Sequence, residues 1–117
     1  MVNQYLNLTG TVSSNATEEV VDTFSPANNE TVETVAVYFD VSNASSDDDI
    51  EVSIALEEQT LIDRIPGGHA PDVSEPLALD LTLGQGDTLK FAATETNGSD
   101  TDVSAIVLQE NTNLQTG

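Results

Sequence analysis

The stretch LALDLTLGQGDTLKFAAT, residues 77–94, contains two apolar alternations joined by a glycine-rich turn. Leucines stand at four alternate positions beginning with Leu77, which is the period of a β-strand rather than the spacing of about 3.5 of a helical zipper. After the turn GQGD, the same period returns from Leu89 to Ala93. This stretch therefore predicts two strands with a tight turn between them.

Apolar residues alternate with polar ones along most of the chain. This pattern predicts further strands at Tyr5–Val12, Glu18–Phe24, Thr31–Val41, Ile50–Glu57, Leu61–Ile65 and Asp102–Gln109. In the third of these, Val35 and Val37 are expected to face the core, with Thr34 on the opposite side. Asn97-Gly98 predicts a hairpin turn before the last strand, and the proline- and glycine-rich segment 66–71 predicts an irregular loop.

The number of strands and the length of the chain together predict the architecture. Seven to eight short strands separated by turns indicate an all-β, antiparallel two-sheet sandwich. A chain of 117 residues fits one such domain, which we place at residues 1–109, followed by a polar C-terminal tail at 110–117. The segment LTLGQGDTL, residues 81–89, resembles the strand, Gly-Asp turn and strand of many jelly-roll domains, which favours a jelly-roll over an immunoglobulin-like sandwich.

Charge is the strongest signal in the composition. Two basic residues, Arg64 and Lys90, stand against 21 acidic ones, so the formal net charge is −19. Such a charge opposes folding in dilute solution, but in molar salt the Debye length falls to about 3 Å. A disordered acidic segment and a cation-buffering protein would also be acidic. The regular apolar alternation disfavours a disordered segment, and the even spread of acidic residues along the chain disfavours a cation-buffering protein. We therefore expect a halophilic protein.

The same composition excludes several kinds of partner and site. No basic patch is present, so we expect no binding to nucleic acid and none to anionic membranes. The chain has no cysteine, and no run approaches the ~20 apolar residues of a membrane span. The first residues, Met1 to Tyr5, lack the pattern of a signal peptide, which predicts a protein made in the cytoplasm.

Catalytic motifs are scarce. His69 is the single histidine and stands in the proline- and glycine-rich segment, where an exposed loop residue is the expected role. Neither a Gly-x-Ser-x-Gly elbow nor a phosphate-binding glycine loop occurs. Carboxylate pairs are abundant, but the aromatic platforms that bind sugars are missing. We therefore expect no enzymatic activity and no organic cofactor.

One acidic cluster is dense enough to be a candidate cation site. Its members are Asp47, Asp48, Asp49 and Glu51. Calcium prefers several carboxylate oxygens on a flexible loop, although the spacing here is not that of an EF-hand, and a solvated halophilic loop is the alternative. Asp100 and Asp102 would add ligands if the loops meet at one end of the sandwich.

Asn-x-Ser/Thr sequons occur at Asn7, Asn15, Asn29, Asn43 and Asn97. They are candidate glycosylation sites. The alternative is that asparagine, serine and threonine simply occupy turns and neutral surface.

Two strands carry apolar residues on both faces. In the last strand, Ile106 and Leu108 lie opposite the face of Val103, Ala105 and Val107. In the third strand, Ala36 and Tyr38 occupy the expected outer face. Uncharged apolar residues facing outward from so acidic a protein predict a subunit interface formed by Ala36, Tyr38, Ile106 and Leu108. Coverage by loops of the same chain is the alternative.

The strand pattern as a whole resembles the small jelly-roll proteins that decorate or cement capsids, or form turrets, in viruses of haloarchaea. The resemblance implies a structural virion protein that assembles in the host cytoplasm without a signal peptide. It also implies a homo-oligomer, a trimer or a pentamer, that binds capsid proteins. The alternative is a carbohydrate-binding or adhesin-like sandwich module of a halophile extracellular protein.

Overall fold

The computed structural model describes the backbone of residues 3–111 and the side chains of residues 6–46 and 48–109. Its strands are β1 (Asn3–Val12), β2 (Glu19–Phe24), β3 (Val32–Asp40), β4 (Ile50–Leu56), β5 (Gln59–Pro66), β6 (Leu77–Leu83), β7 (Leu89–Glu95) and β8 (Thr101–Asn111). Two three-residue 3-10 turns stand before β4 and after β5, at Asp47–Asp49 and Gly67–His69. The second turn lies in a segment predicted to be wholly irregular, and β8 runs two residues beyond its predicted end.

The eight strands form two antiparallel sheets of four strands each. Sheet A has the order β1-β8-β3-β6, and sheet B has the order β2-β7-β4-β5. Only β4 and β5 are consecutive strands that pair as a hairpin, because every other connection passes from one sheet to the other. Two four-stranded sheets joined in this way make a jelly roll. The predicted fold class is therefore confirmed.

The core lies between the sheets and consists mainly of aliphatic side chains. Phe39 on β3 and Phe91 on β7 are the only aromatic residues in the buried apolar cluster of the described chain. Their ring centroids lie 5.9 Å apart. Because β3 belongs to sheet A and β7 to sheet B, this contact joins the two sheets at the centre of the sandwich.

The prediction that Val35 faces the core is wrong. Val35 is 41% exposed, whereas Thr34, predicted to face outward, is 2% exposed. The pairing of β3 with both neighbouring strands is irregular between Thr34 and Ala36, so one extra residue is accommodated there. The Thr34 hydroxyl donates to the Leu79 carbonyl at 2.6 Å and accepts from the Leu81 N–H at 3.0 Å. These bonds satisfy the buried hydroxyl and stabilise the irregularity.

Asn97-Gly98 does not close a hairpin, so that prediction is also wrong. Gly98 has the positive φ, 80°, that such a turn requires. However, β7 pairs with β2 and β4, whereas β8 pairs with β1 and β3. The turn therefore carries the chain from sheet B to sheet A rather than back along β7.

β1 and β2 close one long side of the sandwich. The backbone N–H of Thr9 donates to a carboxylate oxygen of Asp22 at 3.1 Å. One residue further, a Cβ atom on Gly10 would lie 2.6 Å from Cγ1 of Val21 and 2.9 Å from its carbonyl oxygen. The two strands can approach this closely only because residue 10 has no side chain.

Candidate functional site

The four residues predicted to form an interface occupy neighbouring positions on the outer face of sheet A. Strand pairing places Ala36 opposite Leu108, and Tyr38 opposite Ile106. All four side chains are half-buried, and the residues between them point into the core. We call these four residues the apolar stripe. Sequence reasoning identified its members, and the pairing of β3 with β8 brings them together.

The uncharged surface continues onto the two outer strands of sheet A. On β1, Asn7 stands opposite Ile106 and carries an exposed amide. On β6, the exposed Ala78 stands opposite Ala36. The stripe and its neighbours thus form an uncharged band that crosses all four strands.

Carboxylates stand at both ends of this band. At one end are Asp40 and Asp102, which are both exposed. The Ser42 hydroxyl and backbone N–H donate to Asp40 and lower its pKa, so this carboxyl stays ionised. At the other end are Glu33 on β3 and the exposed Asp80 on β6. The band is therefore an uncharged area between two acidic margins.

Further exposed apolar side chains lie on the same side of the molecule. Two of them, Val35 at the irregularity of β3 and Val73, are among the four large hydrophobic residues that are exposed in the described part of the chain. Val73, on the loop between β5 and β6, is 71% exposed and shares an open hollow of about 340 Å³ with Tyr38. Sequence analysis missed Val73, although an isolated valine between Asp72 and Ser74 was a visible signal.

The outer face of sheet B is also poor in charge, and sequence reasoning did not single it out. Its central positions carry small or polar side chains, with the exception of Val20 and one lysine. Strand pairing aligns Val20, Ala92 and Ser53 in one row, and Thr23, Lys90 and Ala55 in the next. Val20 is 52% exposed. We call these six residues the sheet B face.

Both basic residues of the chain belong to sheet B. Arg64 lies on the edge strand β5, where its Nε donates to a carboxylate oxygen of Glu51 at 2.8 Å. Lys90 lies on the central strand β7, between the inward-facing Leu89 and Phe91. No carboxylate among the described side chains forms an ion pair with Lys90.

The predicted cation site is only partly described. Asp47–Asp49 forms a 3-10 turn whose last carbonyl accepts hydrogen bonds from the backbone N–H and the hydroxyl of Thr96, at 3.0 and 3.1 Å. Glu51 is paired with Arg64. Within the described side chains, which omit that of Asp47, no three ligating groups are arranged to hold a metal ion. The cation site stays a prediction.

The hydrogen bonds from Thr96 to Asp49 join the β7–β8 loop, which contains Asp100, to the Asp47–Asp49 turn, and Asp102 follows this loop at the start of β8. Asp100 accepts from the Ser14 N–H at 2.9 Å, and Asp102 accepts from the Thr11 hydroxyl at 2.5 Å. Both carboxylates therefore already bind groups of the strand β1 region.

His69 is exposed and ends the 3-10 turn after β5. It lines an open hollow of about 430 Å³ together with Asp72, Glu75 and Leu77. Asp72 accepts from the Ser74 hydroxyl at 2.6 Å and from the Ser74 N–H, which lower its pKa. The hollow is thus a weakly concave, acidic surface with one imidazole at its edge.

Glu95 is a structural carboxylate that sequence reasoning missed. Its side chain is 2% exposed. It accepts backbone N–H bonds from Asn15 at 2.7 Å, Asn97 at 2.7 Å, Gly98 at 2.9 Å and Ser99 at 3.2 Å. Burial raises the pKa of Glu95, and these four donors lower it by more, so its net pKa lies below the ordinary value. Glu95 holds together the β1–β2 and β7–β8 loops.

All five sequon asparagines are exposed. Four stand in loops, and Asn7 stands on β1 within the uncharged band. A glycan on Asn7 would cover the apolar stripe, so modification there and contact through the stripe exclude each other.

The chain matches no protein-family model and no curated protein sequence. Within residues 3–111, the structure contains no helix that could span a lipid bilayer. The protein class defined here is that of an acidic jelly-roll sandwich with two outer faces poor in charge.

Proposed function

We propose that the protein is a non-catalytic structural subunit of a halophilic archaeal virus particle. It self-associates into a trimer or a pentamer and decorates or cements the capsid. The observation that carries the proposal is the uncharged band across sheet A of a chain whose net charge is −19. Jelly rolls are used as viral capsid domains, which supports the proposal.

The band has the properties of a protein–protein interface that forms at high salt. Burying the apolar stripe removes hydrocarbon from water, which contributes about 25 cal/mol per Å². The acidic margins would repel each other in dilute buffer, but molar salt reduces that repulsion to a range of about 3 Å. Association through this face is therefore favoured at high salt and opposed at low salt.

The oligomer is tested by measuring native mass with light scattering in molar KCl. We expect the wild type to be a trimer or a pentamer. Ile106→Glu places a carboxylate in the middle of the stripe and should give a monomer. Gln85→Glu adds the same charge on the exposed β6–β7 turn and should leave the oligomer unchanged. A wild-type monomer at all concentrations would refute self-association.

The location is tested by density-gradient sedimentation of particles from infected halophile cultures, in molar salt throughout. The chain should sediment with the particles, and mass spectrometry of the particle band should detect it. Recovery of the chain only as free protein at the top of the gradient would contradict the proposal.

A carbohydrate-binding module is the second candidate. The observation that favours it is the hollow beside His69, whose size of about 430 Å³ lies within the usual range for ligand sites. Asp72 and Glu75 could accept hydrogen bonds from sugar hydroxyls. A strictly monomeric protein that binds glycans in molar salt, and loses that binding in Asp72→Asn, would favour this function over the first.

A further inference from the structure

The sheet B face carries the only lysine of the chain. The chain has 21 acidic and two basic residues, and both basic residues lie on sheet B. Arg64 is paired with Glu51, so Lys90 is the basic side chain for which the described residues provide no ion-pair partner. A lysine without an ion-pair partner is notable in so acidic a protein, since nearby carboxylates are what it would ordinarily attract.

The surroundings of Lys90 suit contact with another macromolecule. Its cross-strand neighbours are Thr23 and Ala55, and the next outward residue on β7 is Ala92. These side chains are short, and Val20 adds exposed hydrocarbon beside Ala92. A surface on which small uncharged side chains surround one half-buried lysine resembles the centre of an interface, which is depleted in charged residues.

We propose that the sheet B face binds a carboxylate-bearing surface of the capsid shell protein, with Lys90 pairing with one of its carboxylates. This inference rests on the proposed function, since it assigns the face that contacts the shell. Apolar contact through Val20 and Ala92 contributes most of the affinity in brine, where ion pairs are strongly screened. The lysine fixes the register and excludes basic partners.

A second copy of the chain is the less suitable occupant. The apolar stripe and the sheet B face lie on opposite sides of the sandwich, because they are the outer faces of its two sheets. Copies that packed one face onto the other would stack as an open column. A closed trimer or pentamer that uses the stripe therefore leaves the sheet B face free for a different protein.

Zero-length cross-linking tests the inference directly, because Lys90 is the only lysine in the chain. In assembled particles kept in molar salt, a water-soluble carbodiimide activates a partner carboxylate. The Nζ atom of Lys90 attacks the activated carbonyl, an amide bond forms and the carbodiimide leaves as a urea. We expect a cross-linked peptide that joins Lys90 to an Asp or Glu of the shell protein.

Three variants measured in parallel complete the test. Lys90→Glu should lower the particle-bound fraction at least about tenfold, because it would bury a second carboxylate against that of the partner, where salt screens the repulsion poorly, yet it should keep the native mass of the wild type. Lys90→Arg should bind as the wild type does. Ile106→Glu should lose the oligomer instead.

The possible failures are distinguishable. A Lys90 cross-link to a peptide of this same chain, or a changed native mass in Lys90→Glu, would identify the occupant as a second copy and overturn the inference. Unchanged particle binding by Lys90→Glu would also overturn it. A wild-type chain absent from particles would refute the proposed function itself.

Discussion

The carboxylate of Glu95 accepts a hydrogen bond of 2.7 Å from the backbone N–H of Asn15, a residue 80 positions earlier in the chain. The same carboxylate binds the backbone of the turn that begins at Asn97. Two loops that are distant in sequence are thus held by one buried side chain. The turn between the sheets is therefore held by this carboxylate in addition to its own Asn-Gly sequence.

Glu95→Gln should lower the thermal midpoint by several degrees at neutral pH, because an amide cannot accept four N–H bonds as a carboxylate does. Glu58→Gln is the matched control, since Glu58 is an exposed turn residue and its loss removes the same charge. Thermal unfolding followed by circular dichroism in molar salt measures both. Equal midpoints for the two variants would contradict the role given to Glu95.

The stability of the wild type should also depend on pH through Glu95. Its pKa in the folded protein lies below the ordinary value of 4.5, so the unfolded chain takes up the proton more readily. The contribution of this carboxylate is therefore complete above pH 4.5 and is lost as the pH falls through the folded pKa. Urea unfolding at a series of acidic pH values should show a smaller loss of stability in Glu95→Gln than in the wild type.

Gly10→Ala should destabilise the sandwich by about 1–3 kcal/mol. The added methyl group would lie 2.9 Å from the backbone carbonyl oxygen of Val21, which cannot move without disturbing β2. Gly84→Ala is the control, because no atom lies within 4 Å of the Cβ position there. Urea unfolding compares the two, and a Gly10→Ala protein as stable as Gly84→Ala would show that β1 and β2 are not in close contact.

Phe91→Ala should cost about 3–5 kcal/mol, since Phe91 is fully buried and contacts Phe39 across the sandwich. Phe91→Leu keeps most of the volume and should lose less, so it remains measurable if the alanine variant does not fold. Val20→Ala, at an exposed position, should change the free energy of unfolding by no more than about 0.5 kcal/mol.

The melting temperature should rise steeply as KCl is increased from dilute to molar, because salt screens the repulsion among the carboxylates of a chain with net charge −19. A triple variant, Asp48→Asn, Glu58→Gln and Asp63→Asn, removes three exposed carboxylates and should depend less on salt. A wild type that is equally stable in dilute and molar KCl would contradict the halophilic interpretation.

The sequence predicted the features that depend on periodicity and composition. It did not predict the features that depend on contacts between residues far apart in the chain. The alternation of leucines that begins at Leu77 predicted the bounds of β6 to the residue. The position of Val35 could not be predicted, because it depends on Thr34 hydrogen bonds to β6, 45 or more residues away. Turn residues such as Asn97-Gly98 reverse the chain, but they do not determine which sheet receives the next strand.

The apolar stripe and the sheet B face also differ in how far the sequence indicates them. Ile106 and Leu108 attracted notice because their strand is apolar on both sides. Lys90 looked like an ordinary strand residue, and its significance emerges only when β7 is known to be central in sheet B and no described carboxylate pairs with it. Whether a charged side chain has an ion-pair partner depends on the tertiary structure, and the composition does not reveal it.

Of the eight strands, β8 comes last in chain order, yet it lies between β1 and β3 in the interior of sheet A. Until it inserts, β1 has no partner in its sheet, and two of the four residues of the apolar stripe are absent from the surface. The four residues of the apolar stripe therefore form one surface only after β8 has inserted. Association through the stripe, as proposed, would consequently require a completely folded subunit.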